Sequence, residues 1–160
     1  RISMKEIKVS FDTWVQLLGM LGVLGGLVFV GLEMRQSQTI ALAAQSQARA
    51  SMLLERVGVY TEANLDFQSF IFEDSYDTDL SKIEAAQRNT FHQSWFLFEN
   101  DFNQYSLGLM SEEIWNAKLN GISNLFNRCD GRGSLDARMP TFSESFRRLL
   151  STIPDECTNK

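Results

Sequence analysis

The hydrophobic pattern of the chain opens with one long apolar segment and continues with shorter amphipathic ones. From Trp14 to Leu32, nineteen residues carry no charge, and Gln16 is the only strongly polar residue among them. A helix of that length measures about 28 Å, close to the hydrocarbon thickness of a bilayer, about 30 Å. The pattern therefore predicts an N-terminal tail at residues 1–12 and a transmembrane helix at 13–34.

Features at the ends of this segment favour a membrane span over two alternatives. Trp14 at one edge and Arg35 at the other are predicted membrane-edge anchors, because such side chains favour the headgroup region. A cleaved signal peptide has a shorter apolar core and small residues at its cleavage site, whereas Glu, Met, Arg and Gln follow Leu32. A buried soluble helix would need apolar neighbours on every side, which a chain of 160 residues is too small to supply.

Five of the ten glycines lie inside the apolar segment. Spacings of three and four place several of them on one helix face, and one pair forms a G-x-x-x-G motif. Missing side chains let two membrane helices approach closely, although glycine is also commoner in membrane helices in general. We predict a helix-packing interface for a second copy or a partner's helix, formed by Gly19, Gly22, Gly25 and Gly26.

The charges that flank the segment leave its orientation open. Basic residues lie on both sides, three before it and two within about twenty residues after it: Arg1, Lys5, Lys8, Arg35 and Arg49. This count favours an N-terminus on the inside. The closest flanking charges, Asp12 and Arg35, favour the opposite orientation.

Residues 35–160 carry the signals of a soluble helical domain. No Gly or Pro occurs from residue 32 to residue 57, so the first helix is expected to continue well beyond the membrane. Three further helices are predicted from their start signals, a capping box at Ser81 and Glu84, Ser111, and a second capping box at Thr141 and Glu144. The segment 127–140 is predicted to be a linker.

Apolar side chains recur at helical spacing in each of these three helices. The stripes are Ile83, Gln87, Phe91, Trp95, Phe98, Phe102 and Tyr105, then Trp115, Leu119, Ile122 and Phe126, then Phe142, Phe146, Leu149 and Ile153. The predicted fold is all-α, with one transmembrane helix that continues into a long helix and packs with about three further amphipathic helices.

The composition offers little that could support catalysis or nucleic-acid binding. The net charge of −5 disfavours nucleic acid, because phosphate binding requires a basic surface. His92 is the only histidine, which excludes a helical di-metal site, and we predict that it is an ordinary helix-face residue. The acidic residues Asp74, Asp77 and Asp79 lack the calcium-loop spacing. We therefore expect no metal, no cofactor and no enzymatic activity.

Two further features have interpretations that depend on their surroundings. Cys129 and Cys157 would form a disulfide in an oxidising compartment and would stay free thiols in the cytosol. Glu99 lies within an aromatic-rich helix and, if buried, would need a cationic partner such as Arg88, Arg128 or Arg138.

Two stretches of the sequence, "FVGLEMRQSQTIALAAQSQ" and "FLFENDFNQYSLGLMSEEIW", carry a resemblance. The chain resembles a loose group of small uncharacterised bacterial membrane-anchored helical proteins, whose terminal apolar helix ends in a Leu-x-x-Arg-Gln-like turn. The matching positions are Leu32, Arg35, Gln36, Phe98, Glu99, Gln104, Tyr105, Gly108 and Trp115. The resemblance implies a single-pass protein of the bacterial inner membrane, and it implies no particular activity.

These observations predict a non-enzymatic membrane protein. The expected function is that of a structural or accessory subunit, which docks into a membrane oligomer or a larger membrane complex through its Gly-rich face. A homo-oligomeric pore is the first alternative, with Gln36, Gln38, Gln45 and Gln47 facing water. A membrane-anchored enzyme is the second alternative. The expected partners are the lipid bilayer and other transmembrane helices.

Overall fold

The computed structural model describes residues 10–73 and 79–157. Within these ranges the secondary structure consists of helices joined by short loops, without strands. Six α-helices follow one another: α1 (Phe11–Glu62), α2 (Phe67–Ile71), α3 (Lys82–Ser106), α4 (Glu112–Phe126), α5 (Arg132–Arg138) and α6 (Glu144–Leu150). Short 3₁₀ turns at Cys129–Gly131 and Met139–Thr141 flank α5. The predicted all-α fold with a long first helix is confirmed, and the structure adds the short helices α2 and α5 to the three expected ones.

The chain divides into two compact units, unit 1 (Arg1–Ala41) and unit 2 (Leu42–Lys160). In unit 1 the structure describes the first part of α1, and every residue from 10 to 38 is exposed. This part of the helix has no hydrophobic core of its own. Unit 2 contains the remainder of α1 together with α2 to α6, and it holds all the buried residues among those described.

Side-chain caps define where the helices of unit 2 begin. The Ser81 side chain accepts the backbone N–H of Glu84, and the Glu84 carboxylate accepts the backbone N–H of Ser81 at 2.8 Å, so the predicted capping box is present. The Ser81 hydroxyl also donates to the Glu84 carboxylate at 2.7 Å, and this bond, together with the one from the Ser81 backbone N–H, lowers the pKa of Glu84. Ser111 caps α4 as predicted. Gly108, with φ of 74°, follows α3 in the left-handed conformation that glycine adopts without strain.

Two hydrophobic clusters form on α3. The main cluster joins α3 to α4, α5 and α6 through Trp95, Trp115, Ile122, Phe126, Leu135, Phe142, Phe146 and Leu150. The second cluster joins α3 to α1 and α2 through Val57, Phe67 and Phe96. Most of the predicted stripe residues lie in the main cluster or pack against it. Ile83 is 79% exposed, because it lies in the first turn of α3, where no described residue buries it.

The segment 127–140, predicted to be a linker, contains α5 and its two flanking 3₁₀ turns. Its helix is only seven residues long, too short for a periodic signal in the sequence. Burial stabilises it instead, since Leu135 is 3% exposed and Arg138 is 4% exposed. The start of α6 also differs from the prediction. Ser143, and not Thr141, accepts the N-terminal backbone N–H, because the Thr141 hydroxyl donates to the carbonyl of Arg138.

The Gly131 backbone packs directly on the buried ring of Phe91. A Cβ added at this position would lie 2.6 Å from the nearest ring atom, whereas a Cβ at Gly133, two residues later, would meet nothing within 4 Å. We expect Gly131→Ala to lower the free energy of unfolding by about 1–3 kcal/mol, because the ring must move.

Gly133→Ala is the matched control for this substitution. It should leave stability unchanged or raise it by about 0.5–1 kcal/mol, because alanine favours the helix. Urea unfolding of the full chain in detergent, followed by tryptophan fluorescence, measures both variants. Equal stability of the two variants would contradict the packing described here.

Candidate functional site

The predicted interface glycines lie on the exposed part of α1 in unit 1. At 100° per residue, Gly19, Gly22 and Gly26 share one face of the helix, and Gly25 lies at the edge of that face. A Cβ added at any of these four positions would meet nothing within 4 Å. The face is therefore a shallow strip of bare backbone along which another helix could approach closely.

The remainder of this helical segment is apolar on all sides. The large hydrophobic side chains from Phe11 to Met34 are between 46% and 81% exposed. The helix has a mean hydropathy of 2.2 over its most apolar 18 residues, so by length and composition it can cross a membrane. Trp14, one of the two predicted edge anchors, is 56% exposed, and Arg35 is exposed as well.

The two cysteines, predicted from sequence as a possible bridge, form a disulfide. Cys129 and Cys157 have Cα atoms 5.4 Å apart and are joined. Polar contacts hold the same two segments together, because the Asn127 carboxamide accepts the backbone N–H of Glu156 and donates to the carbonyl of Pro154. The disulfide thus connects the segment before α5 to the C-terminal end of the described chain.

His92, predicted to be an ordinary helix-face residue, is fully buried in the second cluster. Its ring stacks on Phe72, with centroids 5.5 Å apart, and contacts Phe67 edge-on. Nε2 lies 3.1 Å from the side-chain oxygen of Gln68. Burial and, to a smaller extent, the positive charges of Arg138 and Arg88 lower the pKa of His92 to about 3, so the imidazole is neutral at physiological pH.

A buried asparagine and a buried aspartate form hydrogen bonds that organise the backbone around the start of α2. Asn89 accepts the backbone N–H of Phe67 at 2.8 Å and donates to the carbonyl of Leu65. Asp66 caps α2 by accepting both the backbone N–H and the hydroxyl of Ser69. The hydrophobic periodicity of the sequence gave no indication of this network, because its members are polar and lie far apart along the chain.

Glu99 and Arg138 pair across α3 and α5. Arg138, one of the three cations proposed from the sequence, lies 3.8 Å from the Glu99 carboxylate. Its guanidinium carbon is 3.6 Å from the centroid of Phe96 and 5.2 Å from that of Phe142. Burial lowers the pKa of Arg138 to about 10, while Glu99 acts to raise it, so the side chain remains a cation.

No group of histidine, cysteine, aspartate and glutamate side chains within residues 10–73 and 79–157 could hold a metal ion. Asp74 and Asp77, two of the acidic residues considered for calcium, lie outside the described residues.

Comparison with family models, with curated proteins and with solved structures finds no match to this chain. Fold and sequence together define an all-helical protein whose first helix is long and apolar enough to cross a membrane. The resemblance to small membrane-anchored proteins stays a prediction.

The burial of His92 predicts a loss of stability as the pH falls. The folded-state pKa of about 3 lies below the unfolded value of about 6.5, so the unfolded chain binds the proton first and stability declines from about pH 6.5 downwards. Between pH 7.5 and pH 5 this linkage lowers the free energy of unfolding by about 2 kcal/mol. Urea unfolding at the two pH values measures the difference.

His92→Gln is the comparison variant for this prediction, because it keeps a polar side chain opposite Gln68. It should unfold with nearly the same free energy at both pH values, since no other side chain has its ordinary pKa in that range. A pH dependence as steep as that of the wild-type chain would show that His92 is not its source.

Proposed function

We propose that this chain is a non-enzymatic single-pass membrane protein that serves as a structural or accessory subunit. Its first helix spans the bilayer and docks against another transmembrane helix, while unit 2 forms the helical domain outside the bilayer. The observation that carries the proposal is the open glycine face of Gly19, Gly22 and Gly26 on a helix that is apolar all round.

The exposure of the apolar helix supports a bilayer around it. Side chains that are about half or more exposed over the whole segment from Phe11 to Met34 would face water without compensation. A bilayer removes this cost, and a helix satisfies its own backbone hydrogen bonds inside the hydrocarbon. Charged residues bound the segment, with Asp12 at one end and Glu33 and Arg35 at the other.

The glycine face supports a docking role within that bilayer. Lipid provides no hydrophobic drive between two helices, so association depends on van der Waals packing and close backbone approach. Gly22 and Gly26 offer bare backbone on one face, whereas Leu21, Val23 and Leu27 beside them carry branched side chains. A partner helix, from a second copy or from another protein, fits such a strip.

The disulfide supports an orientation that the flanking charges alone left open. Disulfides persist in oxidising compartments and are reduced in the cytosol. The bridge between Cys129 and Cys157 supports an orientation in which unit 2 lies on the oxidising side of the membrane and the N-terminal end of α1 lies on the cytosolic side. The basic residues Arg1, Lys5 and Lys8 agree with this orientation under the positive-inside rule. In a bacterium the membrane would be the inner membrane.

Docking through the glycine face predicts that bulky substitutions release the protein from its complex. Gly22→Leu or Gly26→Leu places an isobutyl group between the two helices, so native mass spectrometry of gently solubilised membranes should show the assembly lost. Gly31→Leu is the matched control, because Gly31 lies on nearly the opposite side of the helix and its Cβ position is equally open. Assembly that survives both Gly22→Leu and Gly26→Leu would refute docking through this face.

The proposed orientation predicts how the cysteines react. In membranes denatured without reductant, a maleimide–polyethylene glycol reagent should leave the wild-type chain unmodified and should modify it twice after reduction. Cys157→Ser leaves Cys129 without a partner and should be modified once in either case. Modification of the wild-type chain before reduction would place unit 2 on the cytosolic side.

A homo-oligomeric pore is the second candidate, and the exposure of the glutamines that follow the span favours it. Gln36, Gln38, Gln45 and Gln47 are all exposed. A symmetric homo-oligomer with conductance in planar bilayers would support the pore, while a particle that contains other chains would support the accessory subunit.

A further inference from the structure

Unit 2 carries a cleft of about 340 Å³ between the second half of α1, the middle of α3 and the start of α6. This volume lies at the lower end of the range of small-molecule sites, about 300–1,000 Å³, and clefts between helices are a common location for them. None of the residues that line it belongs to the glycine face or to the apolar segment of α1.

The cleft contains one cation without a partner. Arg49 lines the cleft and is exposed, and it forms no ion pair or hydrogen bond through its side chain with any residue that the structure describes. Glu99, the one acidic residue among the described residues that line the cleft, is compensated, since it pairs with Arg138 and accepts the backbone N–H of Ser143 at 2.9 Å. The balance of charge in the cleft therefore favours an anionic group beside Arg49.

Two amides on α3 line the same cleft as this cation. Asn103 donates to the Ser46 hydroxyl at 2.7 Å, and that hydroxyl donates to the side-chain oxygen of Asn100 at 3.3 Å. These two hydrogen bonds leave the NH₂ group of Asn100 and the side-chain oxygen of Asn103 without a bond to any described residue. Two residues that line the cleft thus keep one donor and one acceptor, the combination that a ligand amide requires.

The remainder of the lining includes an apolar surface. Phe96 and Phe102 line the cleft from α3, and Ala50 and Leu53 line it from α1. Aromatic and aliphatic carbons beside a few convergent polar groups are typical of small-molecule sites, because burial supplies affinity and the polar groups fix orientation.

We propose that this cleft binds a small monocarboxylate with an amide and an aromatic or apolar group, of the chemical class of N-acylated amino acids. Arg49 takes the carboxylate, Asn100 and Asn103 take the ligand amide, and the apolar group lies on Phe96 and Phe102. This site goes beyond the docking role and would give the domain outside the bilayer a ligand of its own.

The test uses the full chain in a non-ionic detergent with hippurate, N-benzoylglycine, as the probe. Titration followed by NMR chemical shifts should show saturable changes at Asn100 and Asn103, with a dissociation constant in the millimolar range or below. Arg49→Gln should weaken binding about tenfold, because it removes the charge-assisted contact to the carboxylate. N-benzoylglycinamide, which lacks the carboxylate, should bind the wild-type chain about as weakly as hippurate binds the Arg49→Gln variant.

Arg147→Gln is the matched control, since it removes the same charge from an exposed arginine that does not line the cleft. Arg49 makes no described contact, so its replacement should leave the fold intact, which the unshifted spectrum outside the cleft verifies. Absence of saturable shifts at the two asparagines would overturn the proposal. Equal weakening by Arg49→Gln and Arg147→Gln would also overturn it, because it would show nonspecific attraction of the anion.

Discussion

The packing of unit 2 depends on a buried cation. Arg138 lies between Phe96 of the second cluster and Phe142 of the main cluster, and its charge is balanced by Glu99. A buried guanidinium without a counter-charge costs several kcal/mol, so the carboxylate and the two rings have to be in place together. Glu99 also accepts the backbone N–H of Ser143, the residue that caps α6. One ion pair thereby fixes α5, α6 and both clusters on α3.

The helix α3 holds unit 2 together because both of its sides are used. Trp95 and Phe102 face the main cluster, whereas Asn89, His92 and Phe96 face α1 and α2. On α1 the small side chains of Ala43 and Ala50 are buried, and α3 donates hydrogen bonds to α1 from Asn103 and Gln104. Asn103 also lines the cleft, so a hydrogen bond that connects the two helices also positions one of the cleft amides.

Unit 1 follows a different constraint. Its helix has no protein neighbour among the residues described, and its apolar side chains are exposed from end to end. In the proposed function, lipid and a second helix cover these side chains. The glycines cost stability in a helix in water, but inside a bilayer the same residues allow backbone contact that larger side chains would prevent.

The sequence by itself determined the features that depend on residues close together along the chain. Charge-free length defined the apolar segment, the three-and-four spacing of Gly19, Gly22 and Gly26 defined their common face, and Ser81 with Glu84 defined the start of α3. Such signals involve residues within one or two helical turns, so no knowledge of the fold is needed to read them.

Only the tertiary structure decided which distant residues meet. It selected Arg138 among three possible partners of Glu99, joined Cys129 to Cys157, buried His92 and ordered α5 in a segment expected to be a linker. A single histidine or a seven-residue helix has no periodic signal, and its environment depends on the elements that fold over it. The cleft beside Arg49 arises in the same way, because its amides, its cation and its rings come from helices that are brought together only by the packing of the clusters.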